Sequence, residues 1–512
     1  MKLHAVCSPE DVGIKTAGLE LAFKAFQSCG LPGGIFTVAR RGSLCFVREY
    51  GVRDVHSLLP METDTTFAIL SMTKIVTSLA TARLVERGVL GVDDPVSLHL
   101  PVMAKDRLRV CSVDPTAEGY DAATATVPCT NTMTVRHLLT HTSGLVYGSL
   151  FGRPNGDPMA AAHAPQYQGP KTAAGFAAVP LCFQPGTQFR YSDSTALLGL
   201  VLEAITHKGL AAILREEVLV PLGMHSTSFV LDTVGRQKLA TPYLATSNNA
   251  TSGTTGGSSG KGSKTALRSA IVGCFTERDA GAASMSAETL TPAASVFAHA
   301  KSPAAGDQGL YSTPSDWAKL EDALMRRGEG LLQRETFDYF HAAATPDLDL
   351  AGGFNTHFSD QGVVAGAGKH GGAGAGGSGG GDRGQGLSTV APNPMAPSPQ
   401  PSGVDSGGPQ MFHSVRFGGI AHSLLGLVTT SDANALGASR GTFGWEGMCC
   451  TKFEIDPVEE LVVTWWGAVA PCWRYNVKGM CMPHIYTALL APNVPHPHAS
   501  TSPTAWKAKS KL

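Results

Sequence analysis

The chain has 512 residues, 43% of them hydrophobic and 16% charged, with a formal net charge of −1 at pH 7. That supplies a large core, in one enzyme-sized domain with insertions or in several smaller ones, and leaves no basic surplus for nucleic acid. No stretch has the uninterrupted apolar length of a membrane span.

Eleven cysteines form no C-x-x-C pair and no metal-ligand spacing, which points to a reduced, intracellular compartment and to no bound metal. The first residues, MKLHAVCSPEDVG, lack the apolar centre of a secretory signal. Residues 34–51, GIFTVARRGSLCFVREYG, predict two strands around an Arg-Arg-Gly-Ser turn.

Residues 71–74 read Ser-Met-Thr-Lys and open the apolar run IVTSLATARLVERG. Ile75, Leu79 and Ala82 recur at helical spacing, as do Val76, Ala80 and Leu84. Apolar residues on more than one face predict a buried helix, stopped near Arg87 and Gly88. A serine and a lysine three positions apart share one helix face, so the spacing sets a hydroxyl beside an amine. Serine is a weak nucleophile until a neighbouring base activates it. At the helix N-terminus the positive end of the dipole also favours a developing anion at Ser71. The same residues fit a plainer reading, an N-cap and a solvated lysine. The spacing recurs at Ser258 and Lys261 within TSGTTGGSSGKGSK, a Ser/Gly run that cannot hold a rigid site.

TVRHLLTHTSGL (134–145) predicts a short helix stopped at a Ser-Gly turn, with His141 packed at its end. FQPGTQFRYSDSTALLGLVLEAITHKGL (183–210) predicts a turn and then a second buried helix from about Ser194. Tyr191-Ser192-Asp193 lies on that turn. A tyrosine beside a lysine ammonium has its phenolate favoured, so Tyr191 can take the Ser71 proton and pass it to a leaving group. A half-buried aromatic bonding its hydroxyl to the backbone is the alternative. GLYSTPSDWAKLEDALMRRGEG (309–330) predicts an amphipathic helix opened by Ser-Thr-Pro-Ser.

Residues 247–265 (Ser/Gly/Thr) and 361–410 (Gly/Pro/Ser/Ala) are low-complexity insertions. The second contains GGAGAGG, but no strand precedes it and no helix follows, so it is no dinucleotide site and no cofactor is implied. HSLLGLVTT (422–430), GMCCTKFEI (447–455) and ELVVTWWGAV (460–469) then predict strands, and GMCMPHIYTALL (479–490) a last helix. Strands at both ends with helices between predict one sheet closed by both termini, with a helical lobe against it.

Taken together, FAILSMTKIVTSLATARLVERG, LLTHTSGL, FQPGTQFRYSDST, PLGM, GLYSTPSDW and GTFGWEG with FEIDP resemble, in order and spacing, the serine β-lactamase-related hydrolases. That family includes class C β-lactamases, D-alanyl-D-alanine carboxypeptidases and esterases of β-lactamase fold. The resemblance covers about residues 15–490 outside the insertions. It implies an α+β, β-lactamase/transpeptidase-like fold in a single catalytic domain. A mostly antiparallel sheet formed by both chain ends and flanked by helices would take about 15–100 and 300–490. The helical lobe would take about 100–300, and 491–512 would be an exposed tail. The resemblance further implies that Ser71 is acylated while Lys74 and Tyr191 handle protons.

The family's third motif is a Lys- or His-x-Gly strand, often Trp-x-Gly in the esterases, and here it is Trp445-Glu446-Gly447. Gly447 would let the backbone approach the substrate, and the N–H of Met448 would join that of Ser71 as an oxyanion hole. Trp445 cannot bind a substrate carboxylate as a lysine would; a core aromatic on a strand is its plainer role. Asp193 stands where the family usually has Asn. An ionised Asp beside Lys74 would hold the lysine charged and shift the proton-acceptor role toward Tyr191. Glu446, if it points inward, adds a second negative group. Both features weaken the expectation of β-lactam hydrolysis. The expected function is a serine hydrolase of esterase type acting on a small-molecule ester or acyl substrate. An acyltransferase sharing the acyl-enzyme, and an inactive binding protein of the same fold, are the alternatives.

The sequence closes on Lys507-Ala-Lys-Ser-Lys-Leu512. A terminal Ser510-Lys511-Leu512 is the address read by the peroxisomal import receptor, so a peroxisomal location is expected, with a solvated tail as the alternative. Deleting these three residues from a fluorescently tagged copy is expected to leave it cytosolic under the microscope. Continued organellar import would contradict the address.

Overall fold

Gly33–Arg40 (β1) and Ser43–Asp54 (β2) pair as a hairpin, the two strands around a turn that the sequence predicts. The chain reverses through Arg41 and Gly42, at φ 52° and 71°. Two successive left-handed residues give the tight turn whose twist matches that of the strands. This computed structural model describes residues 3–111, 125–147, 171–247, 288–292, 304–342, 344–345, 420–430, 436–472 and 475–490. The Ser258/Lys261 pair, all but the first residue of the 247–265 insertion, the 361–410 insertion with GGAGAGG, and the tail with Ser510, Lys511 and Leu512 lie outside the described residues.

The hairpin extends at one edge to Leu59–Pro60 (β3). On its other side stand strands from the far end of the chain: Ile420–His422 (β4), Leu427–Thr429 (β5), Phe443–Gly447 (β6), Thr451–Asp456 (β7) and Leu461–Trp466 (β8). The sheet order is β4-β5-β6-β7-β8-β1-β2-β3, antiparallel at each pairing. The join between the two chain ends is the β1–β8 register, with Ile35 opposite Trp466 and Phe36 opposite Trp465.

Successive strand residues face opposite sides. Phe36, Val463 and Trp465 therefore pack on one side with Phe23 and Phe26 of helix Thr16–Gln27 (α1) and Ile485 of helix Val477–Ala488 (α5). Ile35, Val462 and Trp466 pack on the other side, with helix Thr73–Glu86 (α2), helix Ser194–Thr206 (α3) and helix Pro314–Met325 (α4). Burial on both faces makes LVVTWW a continuous apolar run rather than an alternating one.

Three predicted strands are interrupted. The 422–430 run breaks because the Ser423 hydroxyl accepts the N–H groups of Leu425 and Gly426, both at 3.1 Å, in place of ladder bonds. The 447–455 run begins as a turn, with Cys450 at φ 64° and its N–H on the Gly447 carbonyl at 3.1 Å. The 460–469 run leaves the large sheet after Trp466, and Val469–Ala470 pairs in parallel with Tyr243 and Leu244.

Helix α2 is central: eleven of its fourteen residues are buried, on all faces. Its buried hydroxyls are satisfied, Thr77 by the Gly306 carbonyl at 2.7 Å and Thr81 by the Thr77 carbonyl at 2.9 Å. It ends at Glu86, and Gly88 follows at φ 69°. Among the described residues no single helix is long and apolar enough to cross a membrane.

Helix α4 carries Glu321 into the core, where its carboxyl meets the Thr464 hydroxyl of β8. Burial pushes this acid from its ordinary 4.5 up to about 8, with the Thr464 hydrogen bond opposing only partly. The folded chain then holds a proton that the unfolded chain gives up. Stability is expected to fall as pH rises from about 4.5 through about 8, and Glu321→Gln to flatten that slope. Thermal denaturation across this range checks it; a slope unchanged in Glu321→Gln would count against the buried acid as its source.

Candidate active site

Phe67 and Ala68 pair with Ser312 and Tyr311, and a short 3-10 turn, Leu70–Met72, then leads into α2. Leu70 is buried with φ at 43°. A bulky side chain in that region costs on the order of 1–3 kcal/mol and persists only where the surroundings enforce it. The turn leaves Ser71 half-buried between a buried Leu70 and a buried Met72.

One helical turn on, the Lys74 side chain is 4% exposed. Its Nζ donates to Ser71 Oγ at 3.2 Å, to Tyr147 Oη at 2.9 Å and to the Asp307 carbonyl at 2.8 Å. An ammonium has three N–H donors, and each finds an acceptor, which makes its burial tolerable. The same nitrogen lies 4.9 Å from the ring centre of Tyr191, where the aromatic face attracts a cation.

The Tyr191 ring packs between His141 (4.8 Å), Tyr147 (5.4 Å) and Trp445 (5.8 Å). His141 takes the helix-end place that the sequence predicts, two residues beyond helix Val135–Leu139 and at φ 55°. Its Nδ1 accepts the Ser192 N–H at 3.3 Å and its carbonyl the Arg190 N–H at 2.9 Å, so it fixes the backbone on both sides of Tyr191.

Trp445 is 3% exposed and stacks on His141. It is a core aromatic, and it also walls a small cavity shared with Lys74, Ser78, His141, His422 and Leu425. His422 is neutral there: burial pushes it down to about 4, and its Nδ1 sits 2.6 Å from the Ser423 carbonyl. Glu446 points to the opposite face, as strand alternation requires, and pairs with Lys452. A side chain at Gly447 would put its Cβ 2.5 Å from the Ile69 carbonyl oxygen and 2.4 Å from Thr451 Oγ1. The absence of one lets the end of β6, with Met448 next in line, lie against the turn that carries Ser71.

Asp193 feels the Lys74 charge, in keeping with the expectation for an aspartate near that lysine, and it also pairs with a second cation. Its direct cation is Lys171, whose Nζ lies 2.7 Å from Asp193 Oδ1 and 2.9 Å from Asp307 Oδ2. The two carboxylates are 2% and 0% exposed. Asp307 Oδ2 also accepts the Tyr147 hydroxyl at 3.2 Å. Gly306 makes this approach possible, because a Cβ there would meet the Thr195 carbonyl oxygen of α3 at 2.3 Å. Burial would raise Asp307, but Lys171 and Lys74 outweigh it and hold the acid below its usual range. Burial lifts Asp193, Lys171 opposes, and Asp307 repels, with a net rise. Burial would lower Lys171, but the two carboxylates raise it. Burial, then Tyr191 and Asp307, push Tyr147 well above an ordinary phenol.

Ser71, Lys74, Tyr191, Asp193, Trp445 and Gly447 thus gather around one site, with Met448 the residue after Gly447 and Glu446 turned away. The sequence reading passed over Tyr147, Lys171 and Asp307. Tyr147 stands two residues beyond LLTHTSGL and Asp307 two before GLYSTPSDW, close enough for the motifs to have marked them. Nothing local marks Lys171. A nucleophile, an amine beside it, a phenol over the amine and backbone N–H groups can perform acyl transfer. Among the described residues no group of three or more His, Cys, Asp or Glu is placed to hold a metal ion.

The Beta-lactamase family model matches residues 19–392. The chain is 33% identical to Esterase EstB of Burkholderia gladioli over 243 residues, 46% of this chain and 56% of that protein. It is 28% identical to Monacolin J acid methylbutanoyltransferase of Aspergillus terreus over 347 residues, 65% of this chain and 72% of that protein. It spans about half the length of several curated relatives that it matches. Its fold is shared with Simvastatin Synthase (LOVD) from Aspergillus terreus, LovD6 mutant, at TM-score 0.61 and 20% identity, covering 92% of this chain and 95% of that one.

Gly447→Ala is expected to force β6 and the Ser71 turn apart, at a cost of about 1–3 kcal/mol in stability, and to slow reaction at Ser71. Denaturant unfolding with active-serine labelling checks both. A variant of wild-type stability and reactivity would show that the close approach is unimportant.

Proposed function

We propose that this chain, which belongs to the Beta-lactamase family, is a serine hydrolase of esterase type that forms an acyl-enzyme on Ser71. The observation that carries the reading is the Lys74 amine, 3.2 Å from Ser71 Oγ and bound on its other sides to Tyr147 and the Asp307 carbonyl. The Ser71 proton passes to Lys74 or Tyr191 as Oγ attacks the substrate carbonyl. The N–H groups of Ser71 and Met448 receive the oxyanion. The proton then leaves with the alcohol, and water, deprotonated in its turn, cleaves the ester on Ser71. Similarity to an esterase of known name supports the reaction class.

Trp445 stands where a lysine would bind a substrate carboxylate, so the reading favours an apolar ester over a penicillin. Asp193 is paired with Lys171, which it shares with Asp307.

A second reading, transfer of the acyl group to an alcohol or amine, is favoured by the similarity that spans 72% of a methylbutanoyltransferase. Both readings need the acyl-enzyme. Treatment with a fluorophosphonate is expected to place its phosphonyl group on Ser71 Oγ, with loss of fluoride and of the Ser71 proton, and to raise the mass of that peptide accordingly. No adduct, under conditions that label a control esterase, would leave the inactive binding protein as the better reading. Turnover of an ester panel with and without added alcohol then divides hydrolase from transferase: new ester in place of free acid marks the transferase.

A further inference from the structure

Lys171, Asp193 and Asp307 take no part in the steps above, yet they sit directly behind them. Asp307 meets Lys74 twice. Its main-chain carbonyl accepts one N–H at 2.8 Å. Its carboxylate accepts the Tyr147 hydroxyl at 3.2 Å, so Tyr147 turns a lone pair toward Lys74 and takes a second N–H at 2.9 Å. A neutral amine has two N–H groups and one lone pair. Once Lys74 has lost the proton that it donates toward Ser71 Oγ at 3.2 Å, both remaining N–H groups are held in this way and the lone pair faces Ser71 Oγ. The direction of the whole chain depends on Asp307 staying ionised and in place. Asp193 threatens that, because a second buried carboxylate beside the first repels it. Lys171 lies between the two, at 2.7 and 2.9 Å.

We infer that Lys171 is a positioning residue of the acylation centre: as the shared counterion of Asp193 and Asp307, it keeps the Asp307–Tyr147–Lys74 chain in place, so that Lys74 Nζ stays against Ser71 Oγ. The inference rests on the Ser71 acyl-enzyme reading. It also explains how two buried carboxylates are tolerated side by side. The charged and titratable groups facing the bridge are Lys74, Tyr147 and Tyr191. His141 is nearby, but its Nδ1 is engaged by the Ser192 N–H.

The test is a double-mutant cycle on the full chain: wild type, Lys171→Met, Asp193→Asn and the two combined. Each is measured for melting temperature and for the rate of Ser71 labelling by a fluorophosphonate, between about pH 5 and about pH 8. Lys171→Met alone is expected to label about tenfold or more slowly at neutral pH. Its rate and its melting temperature should recover toward wild type as acid protonates one carboxylate. The double variant should label at least about threefold faster than Lys171→Met, because a single carboxylate needs no shared cation, with Asp193→Asn as its reference. A double variant as slow as Lys171→Met, or a Lys171→Met that labels like wild type, would overturn the inference. A melting-temperature cycle with unchanged labelling would reduce Lys171 to a structural role and overturn it as well. If Lys171→Met does not fold, the double variant decides, since it lacks Lys171 and should still label. An unlabelled wild type would sink the acylation reading itself and the positioning role with it, while the melting temperatures still report whether the bridge exists.

Discussion

The three hydrogen bonds of one buried amine organise this site. Lys74 is almost wholly out of water, so each of its N–H groups must find an acceptor inside the protein. The acceptors come from three distant stretches of chain: Ser71 from the turn before α2, Tyr147 from beyond the 135–139 helix, and Asp307 from the segment preceding α4. Satisfying one cation therefore fixes three loops relative to one another. The nucleophile is positioned as a by-product of that demand.

The sheet makes the arrangement rigid. Pairing β1 with β8 joins the two ends of the chain and buries both faces of the central strands. The site stands at the end of β6, against one of those faces. Two close backbone approaches lock it, at Gly447 against Ile69 and at Gly306 against Thr195, and either would be blocked by a single methyl group. Around the amine, the aromatic rings of Tyr147, Tyr191 and Trp445 exclude water, which strengthens each charge–dipole contact within. The Lys171 bridge adds a second buried cation, so the two carboxylates and two lysines balance one another locally.

Much of this was legible in the sequence, for identifiable reasons. The Ser71–Lys74 pair could be read because helical spacing fixes which residues share a face. The α2 and α3 helices announced themselves by apolar residues on several faces, and Glu446 by strand alternation against Trp445. The strands at 422–430 and 447–455 were read too long, because a serine hydroxyl and a left-handed cysteine interrupt them without changing hydrophobicity. Tyr147 and Asp307 escaped notice although they border recognised motifs, and Lys171 lies in a stretch with no pattern at all. Long-range charge pairing leaves no periodic trace. The second cation at Asp193, Lys171, could for that reason be found only in three dimensions.

The central claim is that Ser71 becomes acylated and that the Lys74 amine beside it is required for the step. Rapid acid quenching of the protein mixed with an activated short-chain ester, followed by intact and peptide mass spectrometry, tests it most directly. Wild type should carry one acyl group on the peptide containing Ser71, and Lys74→Met should carry almost none over the same interval. An acyl group on another residue, or equal acylation in Lys74→Met, would contradict the claim.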